Sequence, residues 1–174
     1  MKFVLVTAGL FLLFATSVNA QSIKSVYTSL TQRSCTTLES TTDEGGNYEG
    51  ECRGVGGYKL RVIEGDLRQT IDVIVPGGRK FELGFWNVSS AFSYIGEKAE
   101  WRMRGKTPIA LIVRFNANQV PVNTERVTSY LIVARLSGGL ACITDVILPA
   151  LSQNRDARRL ADTARTRPCK YPAD

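Results

Sequence analysis

Residues 58–136 are dominated by short apolar runs, rich in β-branched side chains and punctuated by Gly, Pro, Asn and Asp. Branched side chains suit a pleated surface and the punctuating residues suit reversals, so this stretch reads as strands joined by tight turns. Residues 58–63 alternate, Glu64-Gly65-Asp66 turns the chain, and residues 67–75 place Ile71, Val73 and Val75 on one face against Thr70, Asp72 and Ile74 on the other. Pro76-Gly77-Gly78 then reverses the chain into residues 79–85, because proline presets the φ of a turn's first corner and glycine accepts positive φ at the next. A three-stranded meander is the expected product. Residues 99–104 set Trp101 and Met103 against Glu100, Arg102 and Arg104, the pattern of a strand with one wet face. Residues 109–115 and 130–136 are more continuously apolar, as central strands covered on both sides must be. Residues 87–96 have no clean period, and residues 116–128, polar and holding Pro121, read as a long exposed connection.

The flanks differ. Residues 22–50 are rich in Ser, Thr and acids, with Tyr27, Leu30 and Leu38 as apolar anchors and residues 42–47 as a hairpin tip. After Pro149 the spacing predicts a helix, with Asn154 as N-cap, Ala157, Leu160, Ala161 and Ala164 on its apolar side, and Arg167-Pro168 stopping the helix. Arg155, Arg158, Arg159 and Arg165 line its other flanks. The expected fold is mainly β, an antiparallel sandwich or partly closed barrel with one C-terminal α-helix and two disulfides.

The first twenty residues carry a lone Lys2, an apolar run over 3–14 and small residues ending Val18-Asn19-Ala20. That order suits an export signal, and the run is shorter than the roughly 20 residues that span a bilayer. Residues 1–20 are therefore expected to be a signal peptide and 21–174 a single periplasmic or secreted domain without a transmembrane anchor; Arg114 and Arg135 interrupt the later apolar runs. Four cysteines remain, and three pairings are formally open. The local one, Cys35 with Cys52 and Cys142 with Cys169, is expected because each bridge staples a segment poor in apolar surface. No cysteine pair has close C-x-x-C type spacing and the chain has no histidine, so neither a metal site nor another cofactor is expected.

The same absence of histidine excludes Ser-His and Cys-His nucleophile activation and imidazole acid–base chemistry, and oxidised cysteines exclude thiolate chemistry. Glu64 with Asp66, or Glu97 with Glu100, could run glycoside hydrolysis, but the first pair belongs to a turn and the second is interleaved with Lys98 and Arg102 as a solvated face. Gly54-Val55-Gly56-Gly57 precedes a strand and lacks the Lys-Ser/Thr ending of a phosphate loop, so it reads as a tight connection. Asn87-Val88-Ser89 is a glycosylation sequon, meaningful only in a glycosylating host. Trp86, Trp101, Phe85 and Phe92 could form a stacking platform for sugars, although core packing explains large aromatics in a small β domain more simply. Arg155, Arg158, Arg159, Arg165 and Arg167 could grip carboxylate or phosphate groups, against the plain need of any helix for a wet side. The net charge is +6, and in an exported chain it directs attention to anionic envelope polymer or another exported protein rather than to nucleic acid.

The chain resembles a family of small exported bacterial proteins with no established activity. The likeness lies in Tyr27-Thr28-Ser29-Leu30 before Cys35, Glu51-Cys52, Gly54-Val55-Gly56-Gly57-Tyr58 and Glu64-Gly65-Asp66-Leu67-Arg68. It continues through Lys98-Ala99-Glu100-Trp101, residues 108–113, Ser129-Tyr130, Cys142-Ile143-Thr144-Asp145 and Cys169. It implies export and a single domain and transfers no functional residue. The functional expectation is a non-enzymatic extracytoplasmic binding or inhibitor-like domain, the alternative being an envelope carbohydrate-active hydrolase using paired carboxylates.

Overall fold

The computed structural model describes residues 21–42, 46–119 and 126–171; the expected signal peptide and the centre of the first hairpin tip lie outside them. Ten strands follow in order: β1 (Ile23–Ser29), β2 (Cys35–Thr41), β3 (Asn47–Arg53), β4 (Lys59–Gly65), β5 (Arg68–Ile74), β6 (Lys80–Glu82), β7 (Ser93–Arg104), β8 (Thr107–Asn118), β9 (Val127–Ser137) and β10 (Leu140–Ile147). One helix, α1 (Gln153–Asp162), comes after them. The strands form a single, mostly antiparallel sheet in the order β10-β9-β8-β7-β5-β4-β3-β2, with β1 added on β7 and β6 on β5, and the sheet does not close. The expected meander is β4, β5 and β6, turned at Pro76-Gly77-Gly78 with positive φ at both glycines.

The sheet folds over at β7. One edge of this strand pairs with β8, while its other edge is shared: Ser93 meets Arg68 of β5 in a lone parallel pairing, and Lys98 to Arg104 meet β1. An irregularity between Ile95 and Ala99 lies between the two partners, where a bulge can bend a strand away from its neighbour. In that gap the Gln69 side chain takes the place of a strand, its Oε1 accepting the Ile95 N–H at 2.9 Å and its Nε2 donating to Glu64 at 2.6 Å. The two halves of the sheet thereby face each other over one core, in which Leu60, Val62, Ile71, Val73 and Phe81 meet Trp101, Leu111, Phe115 and Ile132. The Phe85 ring, 5.2 Å from that of Phe115, crosses between them. Each fully buried side chain of this size contributes about 1.5–3 kcal/mol of transfer free energy.

A second apolar cluster lies on the outside of the same sheet, where Ala110, Ile112, Leu131 and Val133 receive Ala157, Ala161 and Ala164. β8 and β9 are apolar on both faces for this reason: one looks into the core and the other is roofed by α1. Alanine on the helix lets it lie close to the strands. The helix begins two residues earlier than expected, with Ser152 rather than Asn154 at the N-cap and no side-chain cap. The buried Gln153 instead donates to the carbonyls of Ser129 and Ile147, at 2.7 and 3.1 Å, which seats the first turn on β9 and the end of β10. Leu160 is only half-buried.

Other expectations need correction. The connection read over 116–128 is shorter, because β8 continues to Asn118 and β9 starts at Val127; the buried Asn116 accepts from Ser129 at 2.7 Å and so fits within a strand. The aperiodic stretch 87–96 ends in β7, from Ser93 onward. Gly54-Val55-Gly56-Gly57 is the tight β3–β4 connection expected, closed by the Gly54 N–H on the Tyr58 carbonyl at 3.1 Å. A Cβ on Gly54 would sit 2.8 Å from the Trp101 ring, so this position admits no side chain without a shift.

Both expected disulfides are present, and no free cysteine occurs among the described residues. Cys35 and Cys52 are register partners across β2 and β3. Cys142–Cys169 ties down the C-terminal tail, which Arg135 holds through the Arg167 carbonyl at 3.1 Å and Arg167 through Asp145 at 2.6 Å. No helix among the described residues is long and apolar enough to cross a membrane.

Candidate binding face

The outer face of the β1–β7–β8–β9 half, beside and beneath α1, carries most of the charged side chains singled out above. Alternation along β7 turns Ala99, Trp101 and Met103 into the core and Glu100 and Arg102 outward toward α1. Glu100 is nearly buried there. Its carboxylate accepts from Arg158 Nε at 2.7 Å and from Arg158 Nη2 at 3.2 Å, as well as from Ser25 Oγ. Burial pushes the Glu100 carboxyl up, but the hydrogen bonds from Arg158 and Ser25 and the charges of Arg158 and Arg102 outweigh it and hold the group below the ordinary carboxylate value. The same contact raises Arg158, through its hydrogen bond to Glu100. Arg102, also nearly buried, donates to Asp162 in two-pronged fashion at 2.6 and 3.0 Å, locking the last turn of α1 to β7. Such charge-assisted, doubly bonded pairs fix orientation as well as energy.

These pairings divide the expected arginines. Arg158 is committed to Glu100 and to the Tyr27 hydroxyl, and Arg159 lies 3.8 Å from Asp156 one turn away, an exposed contact of small energetic weight. Arg155 and Arg165 are exposed, and among the described residues neither has a carboxylate within 4.0 Å. Lys98, also exposed, and Arg114 of β8, half-buried, likewise have no carboxylate within 4.0 Å among the described residues. Arg114 Nη1 donates to Ser129 Oγ at 2.8 Å and Gln153 Oε1 at 3.3 Å, and Nη2 to Asn154 Oδ1 at 3.4 Å, all neutral acceptors. Its stem passes over Gly96, where a Cβ would approach to 2.9 Å. A cleft of about 120 Å³ opens beside it, lined in part by Tyr27, Lys98, Glu100 and Asn154.

Charge is distributed unevenly along the chain. Residues 93–174 hold 13 Lys and Arg against 7 Asp and Glu, whereas residues 21–92 hold 8 against 9. The outer face of β3 to β6 is a balanced ladder: Lys59 on Glu51 at 2.6 Å, Arg61 on Glu49 at 3.0 Å, and Lys80 between Asp72 and Glu82 at 3.2 and 3.0 Å. On the helix side Glu100, Asp145, Asp156 and Asp162 all have arginine partners, so the surplus there is cationic.

The aromatic platform is not assembled. Trp101 and Phe85 are fully buried core residues, with the Trp101 indole N–H donating to Thr28 Oγ1 at 2.8 Å; this removes Trp101 from any ligand contact. Trp86 stands about half-exposed in a short 3-10 turn (Phe85–Asn87), and among the described residues no arginine stacks on it. Phe92 is exposed at its rim, with the Arg68 guanidinium 5.4 Å from its centroid. The acid pairs weighed for glycoside hydrolysis share none of the described pockets: Asp66 bonds Arg68 in the β4–β5 turn, and Glu100 is locked under α1. Glu64 and Glu97 instead line one groove of about 780 Å³ beside the gap in β7, with Arg33, Gln69 and Tyr48. No group of three or more potential metal-binding side chains occurs among the described residues. Lys98, Arg114 and Tyr27 were not anticipated as site residues; the one signal for Arg114 was a cation interrupting an otherwise apolar central strand. Comparison with protein families, with curated proteins and with solved structures finds no match to the chain.

Proposed function

We propose that this chain is a non-catalytic binding domain of an extracytoplasmic compartment, and that its helix-bearing face docks on an anionic partner such as acidic envelope polymer or lipid. The observation that carries this reading is the one-sided cationic surplus: the acids beside α1 are occupied by arginines, leaving Arg155, Arg165, Lys98 and Arg114 without carboxylates among the described residues. Cations clustered on one face create a field that gathers polyanions and weakens with salt. The two disulfides and the export-type N-terminal sequence support the location.

The test is sedimentation with phosphatidylglycerol vesicles and with polygalacturonate, at low and at high salt, beside Arg155→Ala/Arg159→Ala/Arg165→Ala. The wild-type chain binds at low salt, releases at high salt, and binds about tenfold more tightly than the triple variant. Binding that is absent for both materials, or equal in the variant, overturns the reading. The hydrolase alternative draws support from Glu64 and Glu97 sharing a groove. It takes over if the polymer is shortened during incubation and Glu64→Gln/Glu97→Gln abolishes the cleavage.

A further inference from the structure

We infer that the cleft between β7, β8 and the start of α1 is a seat for a single oxyanion group, a phosphate or a carboxylate. This rests on the reading of the helix face as the docking surface and narrows it to one place and one chemistry.

Arg114 carries the argument. It stands on a central strand, half-buried, and its hydrogen bonds go to Ser129, Gln153 and Asn154, which bring no negative charge. A guanidinium partly withdrawn from water is stabilised far better by an anion than by neutral acceptors. Its neighbours show the usual solution: Arg102 has Asp162, Arg158 has Glu100 and Arg167 has Asp145. Lys98 adds a second cation to the same cleft, again with no carboxylate within 4.0 Å among the described residues. Glu100 also lines it, but that carboxylate is held by Arg158 and Arg102 and adds little uncompensated charge.

Two neutral groups at the rim have donors to spare. The Tyr27 hydroxyl accepts from Arg158 at 3.1 Å, which leaves its own proton to give. Asn154 spends its oxygen on Arg114, which leaves its amide N–H groups. Ile112, Leu131 and Ala157 complete the lining as an apolar floor, and an apolar wall strengthens charge contacts beside it. At about 120 Å³ the cleft has room for one anionic group rather than for a length of polymer. A guanidinium fork, an ammonium and two neutral donors around one such space are a donor set for oxygen anions.

The experiment follows the Asn154 side-chain amide and the arginine Nε–Hε resonances by NMR in the full chain, during titration with inorganic phosphate and, separately, with acetate. Saturable shifts confined to the cleft are expected with at least one anion, and the tighter of the two identifies a phosphate-type or carboxylate-type source. Lys98→Ala, whose exposed side chain leaves the fold intact, weakens the binding about tenfold, and Arg114→Lys, which keeps charge but loses the fork, also weakens it. The triple variant of Arg155, Arg159 and Arg165 stays within about twofold of wild type for the small anion. Shifts that never saturate, or that are unchanged in Lys98→Ala, overturn the seat. If polymer and vesicles bind while the cleft stays silent, the seat fails and the docking face stands. If the cleft titrates while neither binds, the face fails and the seat stands.

Discussion

Glu100 and Asp72 are both carboxylates with little exposure, and they respond to acid in opposite directions. Burial raises Glu100, but Arg158, Ser25 and Arg102 more than compensate, so its folded pKa lies below its unfolded one. Ionised Glu100 therefore adds stability that is complete above the ordinary carboxylate range and fades as pH falls through the folded value. Asp72 is pushed up, chiefly by burial, with Lys80 offsetting only part of it. Its folded form holds a proton more tightly than its unfolded form, so its contribution grows as pH falls through the folded value. Urea unfolding should show Glu100→Gln losing about 2 kcal/mol at neutral pH and less at acid pH, with Asp72→Asn close to wild type at neutral pH. The two tryptophans show how far single residues were legible. Alternation in β7 put Trp101 beside Ala99 and Met103, which is a core signature, while Trp86 sits outside any period and its exposure could not be read.

The elements most legible in the sequence were those whose pattern is set by their own neighbours in the chain. The β4–β5–β6 meander has its turn residues in place, and β8 and β9 are apolar twice over because core and helix cover them. β1, β2 and β10 were less legible. β2 is almost wholly exposed at a sheet edge, so no burial imposes a period on it, and β1 is placed by β7, some seventy residues downstream. The gap in β7 is equally non-local, since Gln69 becomes a strand substitute only when β5 arrives. Replacing it by alanine leaves the Ile95 N–H without that acceptor, a loss of about 1–2 kcal/mol. Hydrogen exchange reads the consequence directly: in Gln69→Ala the Ile95 amide loses protection while the amides of β8 and β9 keep theirs. Unchanged protection at Ile95 would show that the bulge, and not Gln69, shields this edge.

For the molecule as a whole, the disulfides bracket the sheet from its two ends, with sequence separations of 17 and 27. Closing loops of that length removes enough freedom from the unfolded chain to contribute about 3 kcal/mol per bridge. Against a total stability of about 5–15 kcal/mol, loss of both is a large fraction. Cys142→Ser/Cys169→Ser should lower the urea midpoint and release the tail, leaving the β2–β3 hairpin and its bridge intact, as mass mapping of a non-reduced digest would confirm. The candidate site was legible only in part: Arg155, Arg158, Arg159 and Arg165 announced a basic helix, but which of them are spent on carboxylates depends on Glu100, far away in sequence.

The cationic surplus beside α1, against the balanced ladder of β3 to β6, makes the folded chain an electric dipole with its positive pole on the helix side. Near an extended negative boundary, such a body feels a torque as well as a pull, and it turns before it touches. Arrival is then not random. The face roofed by α1 leads, and the balanced ladder of β3 to β6 trails, turned away from the boundary and toward whatever approaches from the other side.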